Sequence, residues 1–459
     1  MARVFVCGTA GAEPGRYIFF RVASWLRPGR LWGPVNNDQL NAADVIVIGG
    51  GPAGATCATI LADHGRDVLL LEKDAYPRHH IGESLMPQTF LTFERLGVLD
   101  KLRESDCPIK ESVQFVSSSG KDSLPYFFTD RDPRQWSRTW QVRRDRFDAM
   151  MLDNARQHGV RVRQNIGVRR VIFDGERAAG VVARLDGDPG KDVELRAAVV
   201  VDATGLNSLL ARQLGLVRGD PQLQNAAFYS YFKGAQRDEG RNGGATLIVD
   251  TPGREGWFWF IPLADGVTSV GVVAPPGYLC SGRGGDPEQV LAEEIERCPG
   301  ARRRLEHAER VDKVRVCRDF SYRASRIAGD GWLLVGDAFG FLDPVYSSGL
   351  MLALRSGEWA ADAIHSAFEA DDLSGERLGR FGPKLARGMH LLRQLVYAFY
   401  DKEFSFGAFM RAHPEYKDHL VRLLIGDVFN DEVAEIFEVM RTWTTLPEAI
   451  PLEGSTPAQ

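Results

Sequence analysis

The sequence predicts an α/β fold, and three observations carry that prediction. An apolar, β-branched run at 45–48 leads into a glycine-rich turn and then into a stretch, 53–64, with helical periodicity. A second apolar strand covers 68–71 and ends at Glu72, and a third ends at Asp202 within "AAVVVDATG". Strands that are apolar throughout and alternate with helices belong to a parallel sheet covered on both faces.

The chain is long enough for more than one core. Its 459 residues, 44% hydrophobic and 25% charged, suit two intertwined domains. A net charge of −5 offers no basic field for phosphates, so a nucleic-acid partner is not expected. The six cysteines lie far apart, with no CxxC pair and no histidine at ligand spacing. Neither a metal site nor a disulfide framework is expected, and free thiols suit a cytoplasmic protein. Residues 1–42 contain no apolar run near the roughly twenty residues a membrane span needs, and no secretory signal. They read as a poorly ordered extension outside the fold.

The turn after the first strand is GxGxxG, through Gly49, Gly51 and Gly54. The first glycine permits the tight turn, the second lets the backbone approach a pyrophosphate, and the third allows close helix packing. The helix start adds partial positive charge. Glu72, ending the next strand, is placed to accept hydrogen bonds from an adenosine ribose. Strand, turn, helix, strand and acid in this order specify a dinucleotide site.

Two later segments say which dinucleotide. The mid-chain strand ends in a DATG turn, and "GWLLVGDAFGFLDPVYSSG" brings a strand to Val335, the pair Gly336 and Asp337, a loop, and a helix from about Gly349. Together with the early glycines, these resemble the FAD-dependent monooxygenase superfamily over about residues 43–370. The resemblance implies FAD, with Gly336 and Asp337 at the flavin ribityl, Arg144 packed near the flavin, and the helix at Ser348 and Gly349 aimed at the isoalloxazine. It implies a Rossmann-like FAD-binding domain of the aromatic-hydroxylase type (43–110, 141–225 and 316–370). An inserted β-sheet substrate domain (111–140 and 226–315) and a C-terminal helical region (371–459) complete the expectation.

The run "WFWFIP" at 257–262 narrows the choice. In a strand, Trp257, Trp259 and Ile261 share one face while Phe258 and Phe260 share the other, so one row can line a space while the other packs. The pattern WxWxIP, the stretch "RHHIGESLMP" at 78–87, and "FLDPVYSSG" with Phe341, Pro344, Ser347 and Gly349 are similar to those of flavin-dependent halogenases. That resemblance implies reduced FAD delivered by a separate NAD(P)H-flavin reductase, and chloride or bromide as co-substrate. A flavin hydroperoxide would oxidise the halide to hypohalous acid. Lys110 in "CPIKESVQF" would be the catalytic amine, with Lys101 the second choice. Trp257 and Trp259 would wall the flavin from the substrate, Ser347 would take part in catalysis, and the amides of Ser348 and Gly349 would hold the halide.

One departure bears on the substrate. Tryptophan halogenases carry a Glu in the loop where this chain has Tyr346, so the resemblance is to the branch acting on phenols, pyrroles or aromatic acyl groups on a carrier protein. His79 and His80, beside Arg78, are expected to be exposed or removed from the reacting atoms. The alternatives are an FAD-dependent hydroxylase, a geranylgeranyl-reductase-like enzyme, and an FAD-binding scaffold without catalysis. The DATG turn, where NADPH-using hydroxylases carry Asp-Gly, and the lack of a second GxGxxG favour the two-component system. Elsewhere, 287–310 reads as helical and highly charged, mostly a solvated face, and 447–459 as a loose tail.

Overall fold

The computed structural model describes residues 42–130, 135–185, 192–282, 286–318 and 321–453. The extension expected at 1–42 lies outside these residues, apart from Ala42, which already pairs with Arg196 in the first strand.

The first sheet sets strands Ala328–Gly329, Trp332–Leu334, Asp192–Asp202, Ala42–Ile48, Val68–Leu71 and Arg161–Arg163 side by side. Its central pairs are parallel: Ile46 lies beside Val200 and Leu69, and Val201 beside Leu333. A hairpin of Ile166–Asp174 and Arg177–Leu185 joins through antiparallel pairing with Asp192–Asp202. Parallel pairing demands crossovers, which cover both faces; Ile46, Val47, Leu69 and Val200 are accordingly without exposed surface. Helices Pro52–Asp63 and Gly349–Glu369 cross backbone to backbone, because a Cβ on Gly357 would lie 2.4 Å from the Ala53 carbonyl oxygen. That crossing brings the N-termini of both helices to the same cavity.

The second sheet orders Glu309–Arg310, Ala226–Lys233, Val267–Ala274, Trp257–Pro262, Thr246–Asp250, Ser112–Val116 and Tyr126–Phe127. Its pairs are antiparallel except Thr246–Asp250 with Ser112–Val116. One face joins the main core through Ile248, Trp257, Trp259 and Val273. The other builds a separate core, in which Phe228, Phe258, Phe260 and Val272 meet Val290, Leu291 and Ala301.

The segment expected to be helical and mostly solvated forms two helices, Pro287–Arg297 and Pro299–Leu305, followed by the strand Glu309–Arg310. Pro299 has no N–H to continue the first helix and starts the second. Its charges are not all solvated either: Arg304, 2% exposed, is held by Asp238 at 3.0 Å and Asp122 at 3.1 Å. The C-terminal region is helical, led by Gly382–Tyr400 and Lys417–Ile425. Its end is not loose as far as Glu453. Arg323 donates to the Pro451 carbonyl at 2.8 Å and the Glu453 amide to the Ser325 carbonyl at 2.8 Å. The remainder, 454–459, lies outside the described residues.

Candidate active site

Glycines and two acids shape one end of a cavity of about 710 Å³. Gly49 has φ +105°, and a Cβ there would lie 2.4 Å from the Ala203 carbonyl oxygen, so no other residue fits the turn. A Cβ on Gly54 would lie 2.0 Å from the Gly49 carbonyl oxygen, whereas one on Gly51 would face nearly open space. The second glycine therefore leaves backbone bare toward the cavity, as a pyrophosphate requires. Glu72 accepts the Gly50 amide at 2.7 Å and the Asp74 amide at 2.9 Å. A carboxylate offers about four acceptor positions, so capacity remains for ribose hydroxyls.

Asp337 lines the same cavity, and its burial pushes the carboxyl up to about 6 against the opposing charge of Arg144. Arg144 makes four hydrogen bonds: it binds Asp148 at 2.7 and 3.0 Å and the carbonyls of Ile81 and Gly82 at 2.8 and 3.2 Å. It thereby fixes the 81–82 backbone at the cavity wall. The bare Gly51 cradle and the free capacity of Glu72 fit an FAD dinucleotide.

The aromatic strand forms the other end. Trp257, Trp259 and Ile261 line the cavity, and Phe258 and Phe260 do not. Trp257 Nε1 donates to the Tyr400 hydroxyl at 2.9 Å and Trp259 Nε1 to Ser269 Oγ at 3.1 Å. Gly271, paired with Trp259, makes room for its ring: a Cβ there would lie 2.4 Å from the indole.

The turn Pro344–Tyr346 leads to Ser347, held at φ +57°, and then to the helix from Gly349. Ser347 and Gly349 line the cavity; Ser348, 3% exposed, stands just behind. The Ser348 side chain does not cap the helix, and no acidic residue occupies its first turn. Uncapped amides at a helix start favour an anion.

Lys110 is buried at 4% exposure. Its Nζ donates to Ser84 Oγ at 2.8 Å and to the Leu85 carbonyl at 3.0 Å, with the Phe128 ring 5.8 Å away. Burial alone pulls the ammonium down to about 7. Lys110 sits one hydroxyl behind the wall: Ser84 lines the cavity, as does Thr246, which Ser84 touches at 2.7 Å. Lys101 is elsewhere, on Asn154 at 2.9 Å and Gln157 at 3.1 Å, half-exposed and away from the cavity.

His79 is exposed at the cavity rim, as expected, touching the Tyr229 hydroxyl at 3.2 Å. His80 is half-buried, and burial pulls it down to about 3. Sequence reasoning passed over Glu83, which is 1% exposed, lines the cavity, and is pushed up by burial to about 7, with the Ser269 and Tyr231 hydroxyls opposing. It also missed Ser84, Asp343 and Tyr400. An acid and a serine inside "GESLMP" were a signal; the Tyr400 contact left none.

Residues 42–362 match the FAD binding domain family. The chain is 32% identical to a 1H-pyrrole-2-carbonyl-[peptidyl-carrier protein] brominase of Pseudoalteromonas luteoviolacea, over 86% of this chain and 94% of that protein. It is 30% identical to the corresponding chlorinase of Pseudomonas fluorescens, over 89% and 94%. The solved flavin-dependent brominase Bmp2 superposes with a TM-score of 0.78 at 30% identity, over 88% of this chain and 99% of that one. Among the described residues no helix is long and apolar enough to cross a membrane. The chain thus belongs to the flavin-dependent halogenases, FAD-binding oxidoreductases that use reduced flavin, oxygen and halide to halogenate an electron-rich aromatic ring.

Proposed function

We propose that the substrate is a pyrrole or similarly electron-rich aromatic acyl group held on a carrier protein, and that Lys110 passes the halogen to it. Support for the substrate is the match over 94% of two pyrrolyl-carrier-protein halogenases, one for bromide and one for chloride. Tyr346, in the loop where the resemblance implies a Glu for tryptophan halogenases, agrees with this. We assign nucleotide binding to 43–110, 141–225 and 316–370, and the substrate side to 111–140 and 226–315, with 371–459 covering it. The cofactor-holding residues are Gly49, Gly51, Gly54, Glu72, Arg144, Gly336 and Asp337.

Reduced FAD and oxygen supply the two-electron oxidation of the halide, in the balance ArH + X⁻ + O2 + FADH2 + H⁺ → ArX + FAD + 2 H2O. A separate NAD(P)H-flavin reductase in the cytoplasm delivers the reduced flavin. The amides at Ser348 and Gly349, with Ser347 beside them, hold the halide near the helix start. Trp257 and Trp259 exclude bulk water from the oxidised halogen species. Lys110 receives hypohalous acid either as a hydrogen-bond donor or as a nucleophile; in the second case an N–X bond forms as water leaves, and the ring then takes X and returns a proton to the amine.

The observation that carries this reading is the amine of Lys110: buried, without a counter-charge among the described residues, and one hydroxyl from the flavin cavity. The test supplies the protein with a flavin reductase, NADH, bromide and either pyrrolyl-loaded carrier protein or a panel of free phenols and pyrroles. A brominated acyl group on the carrier, read by mass, is expected. Bromination of free rings with none on the carrier would overturn the substrate reading.

A further inference from the structure

We propose that Asp343 and Tyr400 are positioning residues that set the halide turn and the Trp257 indole together, making the helix Gly382–Tyr400 part of the halogenating site. The proposal rests on the halide site at Ser348 and Gly349 put forward above.

Asp343 is 1% exposed and accepts three hydrogen bonds. One oxygen takes the Val345 amide at 3.0 Å; the other takes the Tyr400 hydroxyl at 2.7 Å and Asn225 Nδ2 at 3.0 Å. An indole N–H can only donate, so Trp257 must give its proton to Tyr400, whose own proton goes to Asp343. The directions of the chain are therefore unambiguous. One end is a ring on the cavity wall; the other is the turn that delivers Ser347 and Gly349 to that cavity. Neither Asp343 nor Tyr400 lines the cavity, so both act through residues that do.

Two features separate this link from ordinary packing. Among the described residues no cation pairs with Asp343, and burial pushes its carboxyl up to about 6, with only the neutral donors Tyr400, Val345 and Asn225 opposing. A buried carboxylate is costly. An Asn in its place would offer one acceptor atom rather than two, and would free either the turn or Tyr400. The turn also ends on a non-glycine residue at positive φ, a conformation that persists only where its surroundings over-determine it. The same helix, Gly382–Tyr400, grips the turn at a second point, where the Tyr346 hydroxyl donates to the Leu395 carbonyl at 3.3 Å.

The test compares two tyrosines one turn apart on this helix. Tyr400→Phe removes the link and keeps the ring. Tyr397→Phe removes comparable bonds, to Asp220 at 2.8 Å and from Arg393 at 3.0 Å, neither of which involves Asp343 or Trp257. In steady-state halogenation, Tyr400→Phe is expected to raise the bromide KM about tenfold, with the aromatic-substrate KM and the FAD affinity unchanged. Tyr397→Phe should leave all three alone. An unchanged bromide KM in Tyr400→Phe, or an equal rise in both variants, overturns the proposal. If Tyr400→Phe fails to fold, Asn225→Ala, which strips a donor from the same oxygen, must raise the bromide KM alone or the link is wrong. Bromide-soaked crystals of the wild type separate the two layers: no anomalous peak at the Ser348 and Gly349 amides refutes the halide site itself. A peak there with no effect of Tyr400→Phe refutes only the link.

Discussion

The two faces of the strand Trp257–Pro262 are equally hidden from solvent, with none of its four aromatic side chains more than 5% exposed, yet they differ in kind. Phe258 and Phe260 pack among Leu247, Val249 and Val272 and have no polar group to satisfy. Trp257 and Trp259 each carry an N–H, and each is met by a hydroxyl, from Tyr400 and Ser269. Burial therefore does not distinguish a wall from a core; the polar handle and its partner do. Substitutions on the cavity side should alter chemistry and leave stability little changed, or even improved. Substitutions on the Phe side should do the reverse.

The largest effect is expected at Lys110, on the cavity side. Lys110→Met should lower halogenation by roughly 10³-fold or more, measured with reductase, NADH and bromide, while flavin binding persists. The same change should stabilise the fold. A lysine held down to about 7 is bound to fewer protons in the folded chain than in the unfolded one between pH 7 and its ordinary value near 10.5. Stability therefore rises with pH across that window, and the cost is present in full below pH 7. Methionine carries no such cost. Net of the bonds lost to Ser84 and Leu85, a gain of about 2 kcal/mol at pH 7 is expected, read as a higher melting temperature.

On the opposite face, Phe258→Ala should cost about 3–5 kcal/mol, since it empties a fully buried ring position. A lower denaturant midpoint with kcat/KM per folded molecule unchanged would uphold the contrast. A large loss of kcat/KM at full folding would break it.

How much of this was legible in advance follows from the range of the interactions. The glycine turn, the apolar strands and Glu72 are local patterns set by backbone sterics, and they appear where the periodicity put them. The alternation of Trp and Phe was equally readable, because a strand turns over every residue. Choosing Lys110 over Lys101 required the resemblance, since burial is a property of the folded chain: one amine is enclosed behind Ser84 and the other sits on Asn154. Asp343 and Tyr400 were out of reach for the same reason. Their bond joins residues 57 apart, and the Trp257 bond spans 143. The helical reading of 287–310 holds for Pro287–Arg297 and Pro299–Leu305, but the break between them was not read although Pro299 was visible.

A smaller effect sharpens the cavity side. If the free amine of Lys110 limits transfer, the rate should rise about tenfold per pH unit below 7 and level off above it, as the neutral form fills. Glu83 titrates in the same range, so its contribution must be removed: it faces Tyr231 and Ser269, with Arg143 and Arg144 nearby. Glu83→Gln should leave the midpoint in place if the limb belongs to Lys110. A midpoint that vanishes in Glu83→Gln would assign the limb to the carboxyl instead.

The smallest expected change is the most direct probe of the wall. Trp259→Phe removes one ring and the N–H bound to Ser269, and leaves a smaller apolar side chain against Gly271 and Tyr229. Because Ser269 also faces Glu83, the hydroxyl can turn to the carboxyl, and stability should change by about 1 kcal/mol or less. What should change is containment. If Trp259 walls the oxidised halogen as proposed, a thinner wall admits water to it, and the share of NADH consumed without halogenated product should rise about two- to threefold, measured as peroxide or free hypohalite per product. The matching change on the other face, Phe260→Leu, should leave that ratio at the wild-type value. If both substitutions uncouple equally, the ratio reports general loosening of the sheet, and the distinction between the two faces is lost.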